Sequence, residues 1–522
     1  MSEISLTKPL SPPRTSDAAV IARGVSVNIL GTLARVIKSI AFIILTRLFG
    51  AEVFGLYVLS WSVIDLTSKL GTFGMDKGTL RFVPQYLHDE HPGRMHRLLA
   101  HAFVLGFAAS LATGTGLFFA APFIADRIFD KPDMTPMLQA LSAGIPFLSL
   151  TWIVVGVTRG HKIMRYDAYI KGILEPLIMF GVACALFLIG WRIVGIALAH
   201  VVSLVCGTVF ALYIFSRFFS WRSCLSYVSS VRPWSDITRF SLPVMGYDLL
   251  YVLMIRLDAL MVGYFLPAFQ VGIYAIAIEI ALTTKKVRQW FDPIFGPIIA
   301  ELQHLRELER LEHNFALVAR WILTVNIAFF GMVLLMGKDV LGLFGPEFGV
   351  GLATVILLAL SQVVYASIGA GDMMLIMSGH PYVNLVNTVF IVIVHFFLNL
   401  LLIPTFGMVG AAFSTLVSFG LLTLIRIIEV YHLYRIHPFR RTWWKPGVAG
   451  LGALALGAVV SAGLPDVSWL RMGALPLVFL PTYILLLRQF GLEMEDLQVW
   501  ERGTGMLRRR WQAFRTIPGG EA

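Results

Sequence analysis

Apolar stretches of about twenty residues recur along nearly the whole 522-residue chain, and this feature restricts the fold more than any motif does. A segment that leaves water must satisfy its backbone hydrogen bonds internally, and long uninterrupted apolar runs do so as helices. Runs bounded by charge clusters and Gly/Pro turns predict fourteen spans, near 25–47, 53–75, 98–121, 137–158, 169–190, 193–216, 240–264, 271–298, 317–337, 351–378, 384–403, 408–430, 446–463 and 470–488. The expected fold class is therefore an all-α polytopic membrane protein. Only 14% of the residues are charged, against about a quarter in soluble domains, which argues against a cytosolic enzyme or a nucleic-acid binder. The formal net charge of +11 then reads first as orientation bias.

Residues 1–24 are polar and lack the apolar core of a cleavable leader, so the first helix is expected to remain as an anchor. An even number of spans puts both termini on one side. With that side cytoplasmic, only Arg47, Arg127, Lys131, Arg192, Lys338 and Arg471 face outward, and most other Lys and Arg residues lie inside. The outward loops are short, which leaves no room for an extracytoplasmic catalytic domain. Neither a nucleophile elbow nor a phosphate-cradling glycine loop occurs in a suitable context, so no enzyme and no cofactor is expected. Cys184, Cys206 and Cys224 suggest neither a disulfide framework nor a metal cage. His88, His91 and His96, with Asp89 and Glu90, read as a solvated loop without a metal.

An internal repeat organises the spans. Gly55-x-Tyr57 recurs as Gly272-x-Tyr274, Gly160-His161 as Gly379-His380, and Val194-Gly195-Ile196-Ala197 as Val409-Gly410-Ala411-Ala412. The offsets are 217, 219 and 215. Three matches in order at closely similar offsets indicate a duplicated six-helix unit whose copies insert in parallel, with an interface suited to a central substrate cavity. The expected organisation is an N-lobe over 25–216, a linker over 217–239 and a C-lobe over 240–430. A basic loop over 431–445, two further helices over 446–488 and a basic amphipathic tail over 489–522 follow. The tail, with Trp500, Trp511 and Arg508-Arg509-Arg510, is expected to lie on the membrane surface.

The string from Leu45 to Tyr57 (LTRLFGAEVFGLY), with Gly71-Thr72-Phe73-Gly74-Met75 and Arg81-Phe82-Val83-Pro84, resembles the start of Wzx-type polysaccharide and O-antigen flippases. These belong to the multidrug/oligosaccharidyl-lipid/polysaccharide (MOP) exporter superfamily, together with lipid II flippases and multidrug and toxin extrusion antiporters. The resemblance implies a V-shaped molecule that flips a polyprenyl-pyrophosphate-linked oligosaccharide across the bacterial inner membrane by alternating access. Its implied partners are that cargo, the lipid bilayer and other glycan-assembly membrane proteins, with no nucleic acid. The alternatives are a multidrug/cation antiporter of the same superfamily, a membrane glycan polymerase or ligase, and a scaffold subunit without transport activity.

Ionisable groups at bilayer depth cost about 2.5–3.5 kcal/mol on insertion scales, so each should face a cavity or a partner. Arg35 and Lys38 share a face of the first helix, and with Arg256 on the seventh they predict a cationic patch for a pyrophosphate. Lys285, Lys286 and Arg288 suit either capture at the cytoplasmic mouth or ordinary positive-inside placement. Asp65 and Lys69, four apart, predict an intrahelical ion pair. Asp248 and Asp258 flank Arg256 and are candidates to neutralise it or to couple an ion. Glu175 precedes a helix-kinking Pro176, Glu279 sits among apolar neighbours, and Asp372 lies where small residues let helices approach closely. These acids are candidates for ion coupling, with structural pairing as the default. His200 and His395, in apolar helices, are expected to hydrogen-bond a neighbouring helix.

Overall fold

A computed structural model describes residues 36–87, 92–161, 163, 165–228, 236–368, 371–377 and 380–491. Among these the secondary structure is helical, without strands. The first half comprises α1 (Val36–Thr72), α2 (Met75–Leu87), α3 (Pro92–Phe123), α4 (Met134–Ser142) and α5 (Ile145–Gly160). It continues with α6 (Arg165–Tyr169), which passes through a π turn into α7 (Glu175–Leu188), then α8 (Ile193–Phe218) and the short α9 (Trp221–Leu225). The second half comprises α10 (Asp236–Phe265), α11 (Ala268–His304), α12 (Leu308–Gly342), α13 (Leu352–Ala366), α14 (Gly371–Met377) and α15 (Pro381–Tyr434). Helices α16 (Lys445–Gly463) and α17 (Ser468–Gln489) pack on α12, with Phe479 and Tyr483 at the centre of that contact.

Nine helices among the described residues are long and apolar enough to cross a membrane, or ten if the bent pair α4 and α5 is one span. The protein is a multi-pass membrane protein, and the element order is consistent with the fourteen expected spans. Two of the nine are each two helices joined at a glycine. Gly50 in α1 (φ 76°) and Gly407 in α15 (φ 60°) take conformations that L side chains rarely adopt. The termini, including the expected amphipathic tail from Leu492 onward, lie outside the described residues, as do His88 and His91.

The duplication is visible in the backbone. Gly190 (φ 95°), between α7 and α8, and Gly407 stand 217 residues apart at equivalent turns. At the same offset, the 37-residue α11 corresponds to the second arm of α1 plus α2. The first copy turns at Phe73-Gly74, both at positive φ, whereas the second continues as one helix. The segment after the second span, outside the expected spans, is thus largely a half-buried helix, with Met75, Gly78, Thr79 and Val83 facing the protein.

The two copies meet through the repeated motif itself. A Cβ on Gly55 would collide with the Ala268 carbonyl oxygen, and one on Gly272 with that of Ala51. Ala51-x-x-x-Gly55 and Ala268-x-x-x-Gly272 therefore cross backbone to backbone, as small residues four apart allow. At the same end Arg47 donates to the Leu343 carbonyl (2.5 Å) and the Gly342 carbonyl (3.0 Å) at the close of α12. Lys131 donates to the Gly263 carbonyl at the close of α10 (2.7 Å). Both cations serve the carbonyl-rich ends of helices in the other half. Replacing both with alanine is expected to leave the fold intact and loosen this end. The check is faster labelling by a water-soluble thiol reagent of a cysteine placed at Leu266 in the variant than in the parent.

Candidate functional site

Between the two halves lies a cavity of about 590 Å³, walled by α1, α7 and α8 on one side and by α10, α11, α13 and α15 on the other. Its lining combines apolar side chains with Lys171, Glu175, His200, Arg256, Asp258, Glu279, His395 and Arg426. Each of these is explained by the helix that carries it.

Helix α10 runs between the halves, touching α1 and α2 on one side and α15 on the other. Arg256 and Asp258, two residues apart, are about 200° apart around the helix and face opposite halves. Arg256 reaches Asp65 of α1, with Nη2 at 2.9 Å and Nε at 3.0 Å from the same carboxylate oxygen. Asp258 accepts from the Asn399 amide (2.8 Å) and the Thr415 hydroxyl (3.2 Å) and lies 2.6 Å from His395 Nε2. His395 Nδ1 meets the Ser418 hydroxyl at 3.0 Å.

In the first half, Tyr57 and His200 join at 2.8 Å, and Trp61 lies against the same imidazole. The repeat offsets bring Tyr57 onto Tyr274 and His200 onto Thr415. Tyr274 stands beside Thr415 and Asp258, so the two halves hold related polar clusters of different chemistry. Both cavity histidines thus bond neighbouring helices. On the floor of the first half, Lys171 pairs with Glu175 (3.0 Å), and the ammonium groups of Lys69 and Lys171 approach the Trp152 ring to 5.4 and 5.0 Å. In the second half, Arg288 pairs with Asp372 (2.5 Å), and both Arg288 and Arg426 donate to the Tyr365 hydroxyl, at 2.7 and 2.9 Å.

These positions correct several expectations. Asp65 does not take Lys69 as its partner: Arg256 offers a guanidinium from the adjacent helix of the other half, and Lys69 turns to Trp152. Neither Asp248 nor Asp258 neutralises Arg256. Asp248 stands with Asp76, Lys77 and Lys69 near α2, and Asp258 faces the other half. Glu279, expected among apolar neighbours, is exposed on the cavity wall, because α11 turns that face away from its packed side. The side chains of two of the three members of the expected cationic patch fall outside the described residues. Arg35 lies outside them, as do the side chains of Lys38, Lys285 and Lys286, while Arg256 is already engaged by an acid. Arg426 and Tyr365 were missed by sequence reasoning, because Arg426 lies near the end of a span and reads as ordinary positive-inside placement. Among the described residues no group of three His, Cys, Asp or Glu side chains suits a metal ion.

The Asp65–Arg256 pair makes a direct prediction. Asp65→Ala and Arg256→Ala should each lower activity by leaving one charge without its partner, and the exchange of Asp65→Arg with Arg256→Asp should recover part of it. Single and exchanged variants assayed at equal membrane abundance check this. No recovery on exchange would mean that one of the two residues acts independently of the pair.

Residues 44–345 match the family described as polysaccharide biosynthesis protein. The probable low-salt glycan biosynthesis flippase Agl15 of Haloferax volcanii is 29% identical over 174 residues, 32% of this chain and 36% of that protein. The probable flippase AglR of the same organism is 28% identical over 184 residues, 33% of this chain and 37% of that protein. The match thus spans about a third of the length of these relatives. Among solved structures, the lipid II flippase MurJ in an inward closed conformation aligns with a TM-score of 0.67 at 12% identity, covering 88% of this chain and 98% of that one. An inward-facing MATE family multidrug transporter of the MOP superfamily gives 0.63 at 16% identity, covering 80% and 98%. At such identities the agreement concerns the fold, which is the MATE-like and MurJ-like arrangement of two parallel repeats.

Proposed function

Because the chain belongs to the polysaccharide biosynthesis protein family, we propose that it flips a polyprenyl-pyrophosphate-linked oligosaccharide across the bacterial inner membrane by alternating access. The observation that carries this reading is the cavity, largely apolar but set with charged side chains, walled by two repeat-related halves that touch at one end through Ala51, Gly55, Ala268 and Gly272. Rocking the halves about such a contact would present the cavity to one side and then the other. The charged headgroup would occupy the cavity while the polyprenyl tail stays in lipid. In this reading the positively charged ends of the spans, including Lys285, Lys286 and Arg288, face the cytoplasm with both termini. Arg35, Lys38 and Arg256 lie on the path of the pyrophosphate, and Arg256 becomes available when its pair with Asp65 opens. The relatives named as flippases support this assignment.

One observation favours a second reading. Glu175, Asp258 and Glu279 on the cavity wall match in number the cations Lys171, Arg256 and Arg426, and acids are what the cationic cargo of a multidrug antiporter would require. Cells depleted of the protein distinguish the two. Lipid-linked oligosaccharide should accumulate on the inner leaflet, wild type should relieve it, and folded Arg35→Ala or Arg256→Ala variants should not. An untouched glycan pathway with altered organic-cation resistance would establish the antiporter instead.

A further inference from the structure

The Tyr365 hydroxyl receives two guanidinium donors, one from Arg288 on α11 and one from Arg426 on α15. Both guanidiniums also lie over the Tyr365 ring, with Cζ at 5.1 and 5.6 Å from its centroid. Two like charges are thereby gathered around one neutral oxygen, an arrangement that gains little from a hydroxyl and much more from an anionic oxygen. Nearby acids offset part of the charge. Asp372 pairs with Arg288, and Glu429, one turn beyond Arg426, accepts from Asn387 (2.6 Å). Arg426 itself is 4% exposed and donates through Nη2 to the Asn384 side-chain oxygen (2.8 Å). Its Nε is buried without an acceptor among the described residues, although the side chain lines the cavity. A buried guanidinium with a donor unused is strongly disfavoured unless a ligand completes it.

We propose that Arg288, Arg426 and Tyr365 form a phosphate-binding subsite in the second half of the cavity, where a phosphate oxygen of a pyrophosphate group displaces the Tyr365 hydroxyl. This deepens the reading above and rests on it for the source of the ligand, the headgroup of the lipid-linked cargo. Arginine suits the role because its planar fork presents parallel donors to two oxygens of one phosphate, which lysine does not. All three residues belong to the second half, so the subsite travels as a unit when the halves rock. The Asp65–Arg256 pair, which joins the halves, does not.

The test uses the full chain in phosphatidylcholine nanodiscs and three probes: inorganic orthophosphate, inorganic pyrophosphate and geranylgeranyl pyrophosphate. Arg426→Gln should weaken pyrophosphate binding at least about tenfold, the loss expected for charge-assisted hydrogen bonds. Arg426→Lys should recover only part of the loss, and Arg127→Gln, exposed at the opposite end, should bind as wild type. If Arg426→Gln does not fold, Tyr365→Phe serves in its place. It removes the competing hydroxyl and should bind pyrophosphate at least as tightly as wild type, and loss of binding there overturns the displacement. Arg426-dependent binding confined to the prenylated probe assigns the subsite to a lipid headgroup. Equal binding of inorganic pyrophosphate assigns it to the free anion. Unchanged affinity of Arg426→Gln for all probes overturns the subsite, even if depleted cells still accumulate cargo and the transport reading stands. Conversely, Arg426-dependent binding with an unaffected glycan pathway in depleted cells leaves the subsite in place and overturns that reading.

Discussion

Gly272→Leu should force the two halves apart at the end where they now touch and abolish transport, and Gly55→Leu should do the same. At both positions a Cβ would meet a backbone carbonyl of the opposite helix, that of Ala51 or of Ala268. A side-chain neighbour can rotate away, whereas a carbonyl inside a helix cannot move without displacing the helix. Overpacking a fitted site costs about 1–3 kcal/mol, and here the obstacle is backbone on both sides of a near-symmetric crossing. Even Gly272→Ala should act in the same direction. The surrounding core includes Phe54, Leu59, Val262 and Ile276, all buried, so no nearby void can absorb the displacement. Melting temperature in detergent and cargo accumulation in complemented cells measure the effect. A Gly272→Leu protein that melts and transports like wild type would mean that the halves are held together elsewhere.

The second large effect is expected at Asp258. Replacing it with alanine leaves His395, Asn399 and Thr415 facing an empty position with 13% of the His395 side chain exposed, and removing one member of such a buried pair costs about 3–5 kcal/mol. A marked fall in melting temperature follows, whatever the pair does in transport. Asp258→Asn separates stability from coupling, because it preserves the shape and some of the hydrogen bonds while removing the titratable carboxyl. If the Asp258–His395 pair couples a proton to transport, Asp258→Asn should melt near wild type yet lose the dependence of transport on an imposed pH gradient. If the pair is structural, transport by this variant should keep that dependence. Reconstituted vesicles with and without the gradient give the answer.

How much of this was legible before folding differs between residues. The spans followed from apolar runs, because burial in lipid leaves a signal in every twenty-residue window. The duplication followed from Gly55-x-Tyr57 and Gly272-x-Tyr274, because a close helix crossing tolerates only small residues and so keeps its pattern. The partners of the charges were not legible. An i, i+4 spacing favoured Asp65 with Lys69, but local spacing contributes only a few tenths of a kcal/mol, and a guanidinium from the packed helix of the other half outcompetes it. Likewise Arg256 and Asp258 read as neighbours in sequence and prove to serve opposite halves.

By itself the sequence determined a helical membrane protein made of two parallel copies, since chain-local periodicity and hydropathy decide which segments leave water and which faces pack. Only the tertiary structure decided which charge meets which: Asp65 with Arg256, Asp258 with His395, and Arg288 and Arg426 around Tyr365. The reason is physical. Apolar burial is a property of each segment taken alone, whereas an ion pair inside a membrane depends on distances of about 3 Å between helices far apart in the chain, and these are set by how the helices pack.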